Sequence, residues 1–287
     1  MHTPASNTVR SISMIVTTYN WKEALAAVLA GVARQTVLPD EVVIADDGSR
    51  SDTAEMLAQI ARTFPVRLLH SWQDDSGFRV ARSRNRAIAA SSGDYLLLVD
   101  GDMVLHPDFV ADHMAASVEG SFVQGSRVLT TAAFRDRMLS SPETRPTFVS
   151  SGISKRRNAI HMGMLSRAFI SLNPKTEPHA IKTCNQGWWR SDLIRTNGFD
   201  ERMEGWGRED VELAWRAYHA GISCRQLRYS ALAFHLHHQE RHEDGNSSND
   251  AYLEETKLKR SERCEKGIDQ HVDELLANPL SDLRNAA

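Results

Sequence analysis

Residues 95–102 read Tyr-Leu-Leu-Leu-Val-Asp-Gly-Asp, an apolar run that stops on two carboxylates one residue apart. An apolar run without alternation predicts a strand buried on both faces, as in a parallel sheet with helices on either side. Ligands of such sheets bind beyond the carboxyl ends of the strands, so Asp100 and Asp102 stand where chemistry is expected. Towards the N-terminus the same grammar repeats. Residues 11–17 are a β-branched run ending in Thr17-Thr18-Tyr19-Asn20, residues 41–45 end in Asp46-Asp47-Gly48-Ser49, and residues 66–69 form a third run. Between these, residues 21–34, 51–62 and 79–90 have helical spacing, as in Leu25, Val28, Leu29 and Val32. Ser51 or Asp52 is placed to cap the second of these helices. The expected fold class is α/β, with a mostly parallel, Rossmann-like central sheet flanked by helices.

Composition bounds the function. The 287 residues are 41% hydrophobic and 25% charged, which is ordinary for a globular chain and enough to bury a core. With 34 basic and 37 acidic residues the net charge is -3, so no cationic excess exists to neutralise a nucleic-acid backbone. The three cysteines, Cys184, Cys224 and Cys264, are too scattered for a disulfide framework and fit a reducing compartment. No apolar run approaches the roughly 18 residues of a membrane span, and the first ten residues carry no secretory apolar stretch. A cytoplasmic location is expected.

The second half carries its own signals. Residues 130–167 are polar and basic, include Lys155-Arg156-Arg157, and have no clear periodicity. Residues 188–196 and 211–220 look helical, with Asn197-Gly198 and Gly221 placed to end those helices. Gly205-Trp206-Gly207 puts a large aromatic between two permissive residues, which suits a loop offering a flat face to a sugar ring. Glu209 and Asp210 then open a helix, either as favourable partners of its dipole or as a general base. Residues 223–234 resemble one or two short strands. His235-Leu236-His237-His238, with His242 close behind, is unusually dense in imidazole. Strand alternation would separate His235 from His238, whereas a turn would bring them together. Asp100 and Asp102 offer hard oxygen ligands to a divalent cation, and a mixed carboxylate and imidazole set suits Mn²⁺.

Taken in order, VTTYN (16–20), DDGS (46–49), FRVARSRNRAI (78–88), VDGD (99–102), residues 184–216 and HLHH (235–238) resemble a family-2 glycosyltransferase of the GT-A nucleotide-sugar fold with a galactosyltransferase-like carboxyl region. The resemblance implies a nucleotide-sugar-binding half (11–128), a variable, mobile segment (129–180), an acceptor and catalytic half (181–249) that forms a smaller subregion, a flexible N-terminus (1–10) and a helical tail (250–287). It implies donor binding by Thr17, Tyr19, Asp46, Asp47, Arg84, Asn85 and Asp100, and a sugar and acceptor surface at Gly205, Trp206 and Gly207. Asp210 matches the catalytic base, with Glu209 beside it. Asp102 and His238 match the metal ligands, and His235 stands where related galactosyltransferases use methionine. Arg208 departs from the small glycine usual at that place.

The implied function is inverting, metal-dependent transfer of a hexose or N-acetylhexosamine from a UDP-sugar to a hydroxyl, with Mn²⁺ favoured over Mg²⁺. The acceptor would be a glycan or a lipid-linked saccharide of polysaccharide biosynthesis, met by peripheral contact at the inner membrane face. Two alternatives are an inactive nucleotide-sugar binding module and a metal-dependent UDP-sugar hydrolase. Residues 150–167 are expected to order over the bound donor with their cations facing its diphosphate.

Overall fold

The computed structural model describes residues 9–141, 143–163, 171–172, 181–239 and 247–285. Its centre is an apolar sheet whose strands alternate their side chains between two cores. From β1 (Ile12–Thr18), Met14 and Val16 enter one core and Ile15 the other. From β4 (Tyr95–Asp100), Tyr95, Leu97 and Val99 enter the first core, and Leu96 and Leu98 the second. Burial on both faces explains the continuous apolar runs.

Between these strands lie α1 (Lys22–Val32), β2 (Glu41–Asp46), α2 (Ser51–Ala61), β3 (Arg67–Trp72) and α3 (Val80–Ala90). After β4 come β5 (Met103–Leu105), α4 (Phe109–Ala116), β6 (Ser121–Gln124), β7 (Arg127–Thr130), α5 (Ala132–Ser140), β8 (Ile153–Ser154) and β9 (Ser171–Leu172). The chain continues through β10 (Asn185–Trp189), α6 (Arg190–Thr196), α7 (Glu209–His219), β11 (Ser223–Gln226), β12 (Ala233–His235), α8 (Asp250–Lys259) and α9 (Asp269–Ala277).

The central sheet has eight strands in the order β3-β2-β1-β4-β10-β6-β11-β9. All run parallel except β10 and β9. This is the expected α/β class. Because β2 and β4 flank β1 on opposite sides, the order reverses between β1 and β4. That is where an open α/β sheet forms its binding crevice. Leu25, Val28 and Leu29 of α1 and Leu57 of α2 cover one face, and Ala87 and Ile88 of α3 and Leu213 and Ala217 of α7 cover the other. A second sheet, β5-β12-β7-β8, packs on Ala24 and Ala27 of α1 and on Phe134 and Met138 of α5.

Two local expectations are corrected. Trp188 and Trp189 do not open a helix; they end β10, and α6 begins at Arg190. Each indole serves a different core: Trp188 stacks on Phe122 at 4.1 Å, and Trp189 meets Tyr95 edge-on at 5.4 Å. Neither Ser51 nor Asp52 caps α2, whose N-cap is Arg50 without a side-chain cap bond. Asp52 pairs instead with Lys22 Nζ at 2.8 Å, and Asn20 Oδ1 accepts from Arg50 N. The carboxyl end of α6 agrees with expectation, since Asn197 adopts φ 66° and Gly198 follows it. Residues 1–8, most of residues 164–180, and His242 lie outside the described residues.

Candidate active site

Asp100 and Asp102 leave β4 at the switch point. Gly101 between them is obligatory: a Cβ there would sit 2.3 Å from Thr17 O of β1. Asp100 Oδ1 accepts from Thr17 Oγ1 at 3.0 Å and from Arg84 Nη2 at 3.1 Å. Arg84, buried on α3, donates through Nη1 to Glu209 Oε1 at 3.1 Å, so one guanidinium joins the β4 end to the start of α7. Its planar fork suits two carboxylates at once.

The β2 end is built differently. Asp46 is fully buried, with Oδ1 accepting from Ser49 N and Oδ2 against His70 Nε2, both at 2.8 Å. It shapes the Asp47-Gly48-Ser49 turn. Asp47 accepts from Gln73 Nε2 at 2.6 Å and from Arg79 N at 2.8 Å. Burial pushes the Asp47 carboxyl up against the pull of those two donors. Tyr19 is 44% exposed, and its hydroxyl donates to Asp75. Asn85 of α3 is fully buried. Its amide is buried and engages both backbone groups of Phe199 and the Glu201 carboxylate at 2.7–2.9 Å. That occupies its side chain within the protein, where the resemblance expects nucleotide contact.

The loop before α7 supplies a second wall. Gly205, Gly207 and Arg208 have φ of 80°, 93° and 78°, and Trp206 stands 47% exposed. The C-terminal segment ties the loop down: Asn249 Nδ2 donates to Gly207 O, Ser247 Oγ donates to Trp206 O, and Arg208 Nε pairs with Asp250 at 2.5 Å. At the start of α7, Glu209 Oε2 is buried and makes no hydrogen bond among the described residues. Asp210 is half-buried, and its Oδ1 accepts from Val211 N at 2.8 Å. Burial and then the Glu209 charge push its carboxyl up to about 7, against the pull of Arg84 and of the Val211 N–H.

The imidazoles meet Asp102 through strand pairing. The β12–β5 register sets His235 opposite Met103, and Leu236 N donates to Asp102 O. Where the chain leaves β12, His235 Nε2 and His238 Nε2 approach each other to 3.2 Å and lie 3.2 and 3.1 Å from Asp102 Oδ2. Burial raises the Asp102 carboxyl, yet the two imidazoles outweigh it and bring it down to about 2. Asp102 Oδ1 is buried without a hydrogen-bond partner among the described residues. A carboxylate with an idle oxygen beside two convergent imidazoles fits a divalent cation. His237 is outside this group; its backbone bonds Thr130 and Arg135.

Sequence reasoning missed the groups that hold these ligands. Gln73 and Arg79 fix Asp47, Asp75 fixes Tyr19, and the edge of Trp21 meets His238 at 5.8 Å. Trp21 follows the 16–20 motif and Arg79 lies within the 78–88 motif, and that placement is the one signal that pointed to them.

A parallel sheet with carboxylates at its switch point and an imidazole cluster on a second sheet defines a GT-A architecture. The chain belongs to glycosyl transferase family 2, whose family model matches residues 13–172, more than half its length. A second model, described as the N-terminal domain of galactosyltransferase, matches residues 163–239. Validoxylamine A glucosyltransferase of Streptomyces hygroscopicus subsp. limoneus is 27% identical over 85% of this chain and 55% of its own length. Hyaluronan synthase of Pasteurella multocida is 26% identical over 78% of this chain and 24% of its own. The chain thus spans about half, or less, of these relatives. Among solved structures, S. aureus TarS 1–349 with UDP-GlcNAc superposes with TM-score 0.58 at 18% identity, covering 93% of this chain and 71% of that one. GalNAc-T7 with UDP, GalNAc and Mn²⁺ superposes with TM-score 0.61 at 12% identity, covering 88% of this chain and 48% of that one. These likenesses establish the fold. Among the described residues, no helix is long and apolar enough to cross a membrane.

Proposed function

We propose that the chain transfers a hexose or N-acetylhexosamine from a UDP-sugar to a saccharide hydroxyl with inversion. The acceptor would be a glycan or a lipid-linked saccharide met at a membrane face. The observation that carries this reading is the convergence of Asp102, His235 and His238 at the sheet's switch point, with the Glu209–Asp210 pair tied to the same strand end through Arg84.

Thr17, Tyr19, Asp47 and Asp100 would line the uridine and ribose side, and Trp206 would offer its face to the sugar. Asp102, His235 and His238 would hold Mn²⁺, which when bound neutralises charge on the departing diphosphate. Asp210 acts as the base. With Glu209 bound to Arg84, Asp210 is the carboxylate left without that cation's hydrogen bond, and its raised pKa suits proton acceptance near neutral pH. It takes the hydroxyl proton as that oxygen bonds the anomeric carbon. The bond from that carbon to the diphosphate oxygen breaks with its electron pair leaving on UDP. Attack opposite the leaving group inverts the anomeric centre.

The test is a panel of common UDP-sugars with Mn²⁺, read by heat-shift binding and UDP release, with and without saccharide acceptors. One donor should stabilise the protein, and an acceptor should accelerate its turnover. Donor cleavage that no acceptor accelerates would make the protein a hydrolase, and binding without turnover would make it an inactive module. No response to any UDP-sugar would end the reading.

A further inference from the structure

The edge of the sheet that carries the candidate active site continues past β4. Beyond β10, the parallel strands β6 and β11 end at that same edge, at Gln124 and Gln226. Between their ends lies a cavity of about 440 Å³, within the range of small-ligand sites. Cys184 lines it and immediately precedes Asn185, which pairs with Val99 next to Asp100, so cavity and crevice are neighbours. Lys182, on the cavity wall, is near enough to act on the Asp210 carboxyl.

The lining is chemically one-sided. Among the described residues, Arg127, Lys155, Arg157, Lys182 and Arg228 line it, and no carboxylate does. The chain as a whole has more acids than bases. The side chains of Lys155, Arg157, Lys182 and Arg228 make no ion pair among the described residues. Like charges gathered in one concavity repel, and the field they create favours an anion. The walls are also held in place: Asn158 Nδ2 donates to Arg127 O at 3.0 Å, and Met162 N donates to Tyr229 O at 2.9 Å. Lys155 holds φ at 54°, a left-handed conformation that a lysine adopts at a cost.

We propose that this cavity receives an oxyanion carried by the acceptor, a carboxylate or phosphoryl group on a saccharide whose nucleophilic hydroxyl lies at Asp210. The assignment rests on the transferase reading above and narrows its acceptor to an anionic glycan. The donor diphosphate is the competing occupant. The cavity lies on the far side of β10 from β1 and β2, and β6 is two strand spacings from β4, about 10 Å. A separate anion is therefore served here rather than the one beside Asp102.

The experiment uses the full chain with UDP and Mn²⁺ present. Calorimetry measures the binding of an unsulfated chondroitin tetrasaccharide, of N-acetylglucosamine 1-phosphate and of neutral chitotetraose. At least one anionic probe should bind, and the pair of them separates carboxylate from phosphoryl recognition. Its affinity should fall at least roughly tenfold in R157A/R228A, the loss expected for charge-assisted hydrogen bonds, and should largely survive in R157K/R228K. Raising salt from about 50 to about 500 mM should weaken it as well. UDP–Mn²⁺ affinity and melting temperature should stay at the parent value in both variants. Equal binding of the neutral probe, no binding of either anionic probe, or unchanged anion affinity in R157A/R228A would overturn the assignment. A fall in UDP–Mn²⁺ affinity in that variant would hand the cations to the donor instead. Failure of the parent to bind UDP–Mn²⁺ at all would strike the transferase reading first, and this assignment with it.

Discussion

Glu209 and Asp210 are adjacent acids at one helix start, yet their surroundings divide them. Arg84 holds Glu209 while Asp210, half-buried, has its carboxyl raised from 3.8 to about 7. Asp210→Asn should cut turnover by roughly 10²–10⁴-fold with UDP-sugar affinity nearly unchanged, because proton removal matters in the transition state. Turnover of the parent should rise with pH through about 7 as the base ionises. Stability should move the other way. A carboxyl whose folded pKa lies above its unfolded value costs nothing below the unfolded value, and its cost is complete above the folded one. Asp210→Asn should therefore melt above the parent at alkaline pH and converge with it towards pH 4, as thermal melts across that window would record. Mn²⁺ gives a second check at this scale. At a hundredfold excess over Kd, a ligand that binds only the folded state stabilises by roughly 2.7 kcal/mol. A Mn²⁺-dependent rise in Tm should be present in the parent and absent in Asp102→Ala and His238→Ala. A rise that persists in both would move the metal elsewhere.

Between α6 and α7 the Gly-Trp-Gly-Arg loop makes Arg208 interpretable. Its φ of 78° lies where glycine is favoured, in accord with the glycine that the resemblance leads one to expect there. The Arg208–Asp250 pair is about two-fifths exposed on both sides, so it contributes at most about 1 kcal/mol to stability. Its consequence is positional. Asp250→Ala should leave chemical denaturation within about 1 kcal/mol of the parent but raise the acceptor KM, by freeing the loop that carries Trp206. Arg208→Gly should be close to neutral in stability, whereas Arg208→Val should cost roughly 1–2 kcal/mol more, since a β-branched residue resists the left-handed region. Equal stability of the two variants would remove the backbone argument. At this scale the sequence was legible where periodicity was long, as in α1 and α3. It was not legible at Trp188 and Trp189, because a short apolar run has the same pattern in a strand and in a helix, and only Phe122 and Tyr95 decide between them.

Across the molecule, the helix bearing the candidate base is anchored by a buried ion pair. Arg216 is fully buried, donates to Glu212 through Nε and Nη2, and donates to the carbonyls of Thr196 and Gly198 at the end of α6. Thr256 of α8 donates to the same Glu212. Arg216→Ala would leave the Glu212 charge buried without its partner and untie α7 from the end of α6, at a cost of roughly 3–5 kcal/mol. Denaturant midpoints of Arg216→Ala and Arg216→Met check this, and an effect under about 1 kcal/mol for Arg216→Ala would refute the anchoring.

The sequence by itself determined the α/β class, the parallel arrangement of the first four strands, and the placement of Asp46–Asp47 and Asp100–Asp102 at strand ends. These are local facts: unbroken apolar runs, helical spacing, and the rule that strand ends face ligands. It left open which histidine joins His238, because strand alternation and a turn predict opposite partners. The pairing of β12 with β5, and the end of that strand at His235, chose His235 by setting it beside Asp102. It also had no means of joining Lys155 and Arg157 to Lys182 and Arg228. These cations are dozens of residues apart, and only the common edge of β6, β10 and β11 gathers them into one cavity. Contacts fixed by neighbours along the chain were readable in advance; contacts fixed by sheet order were not, since strand order is decided by packing among segments distant in sequence.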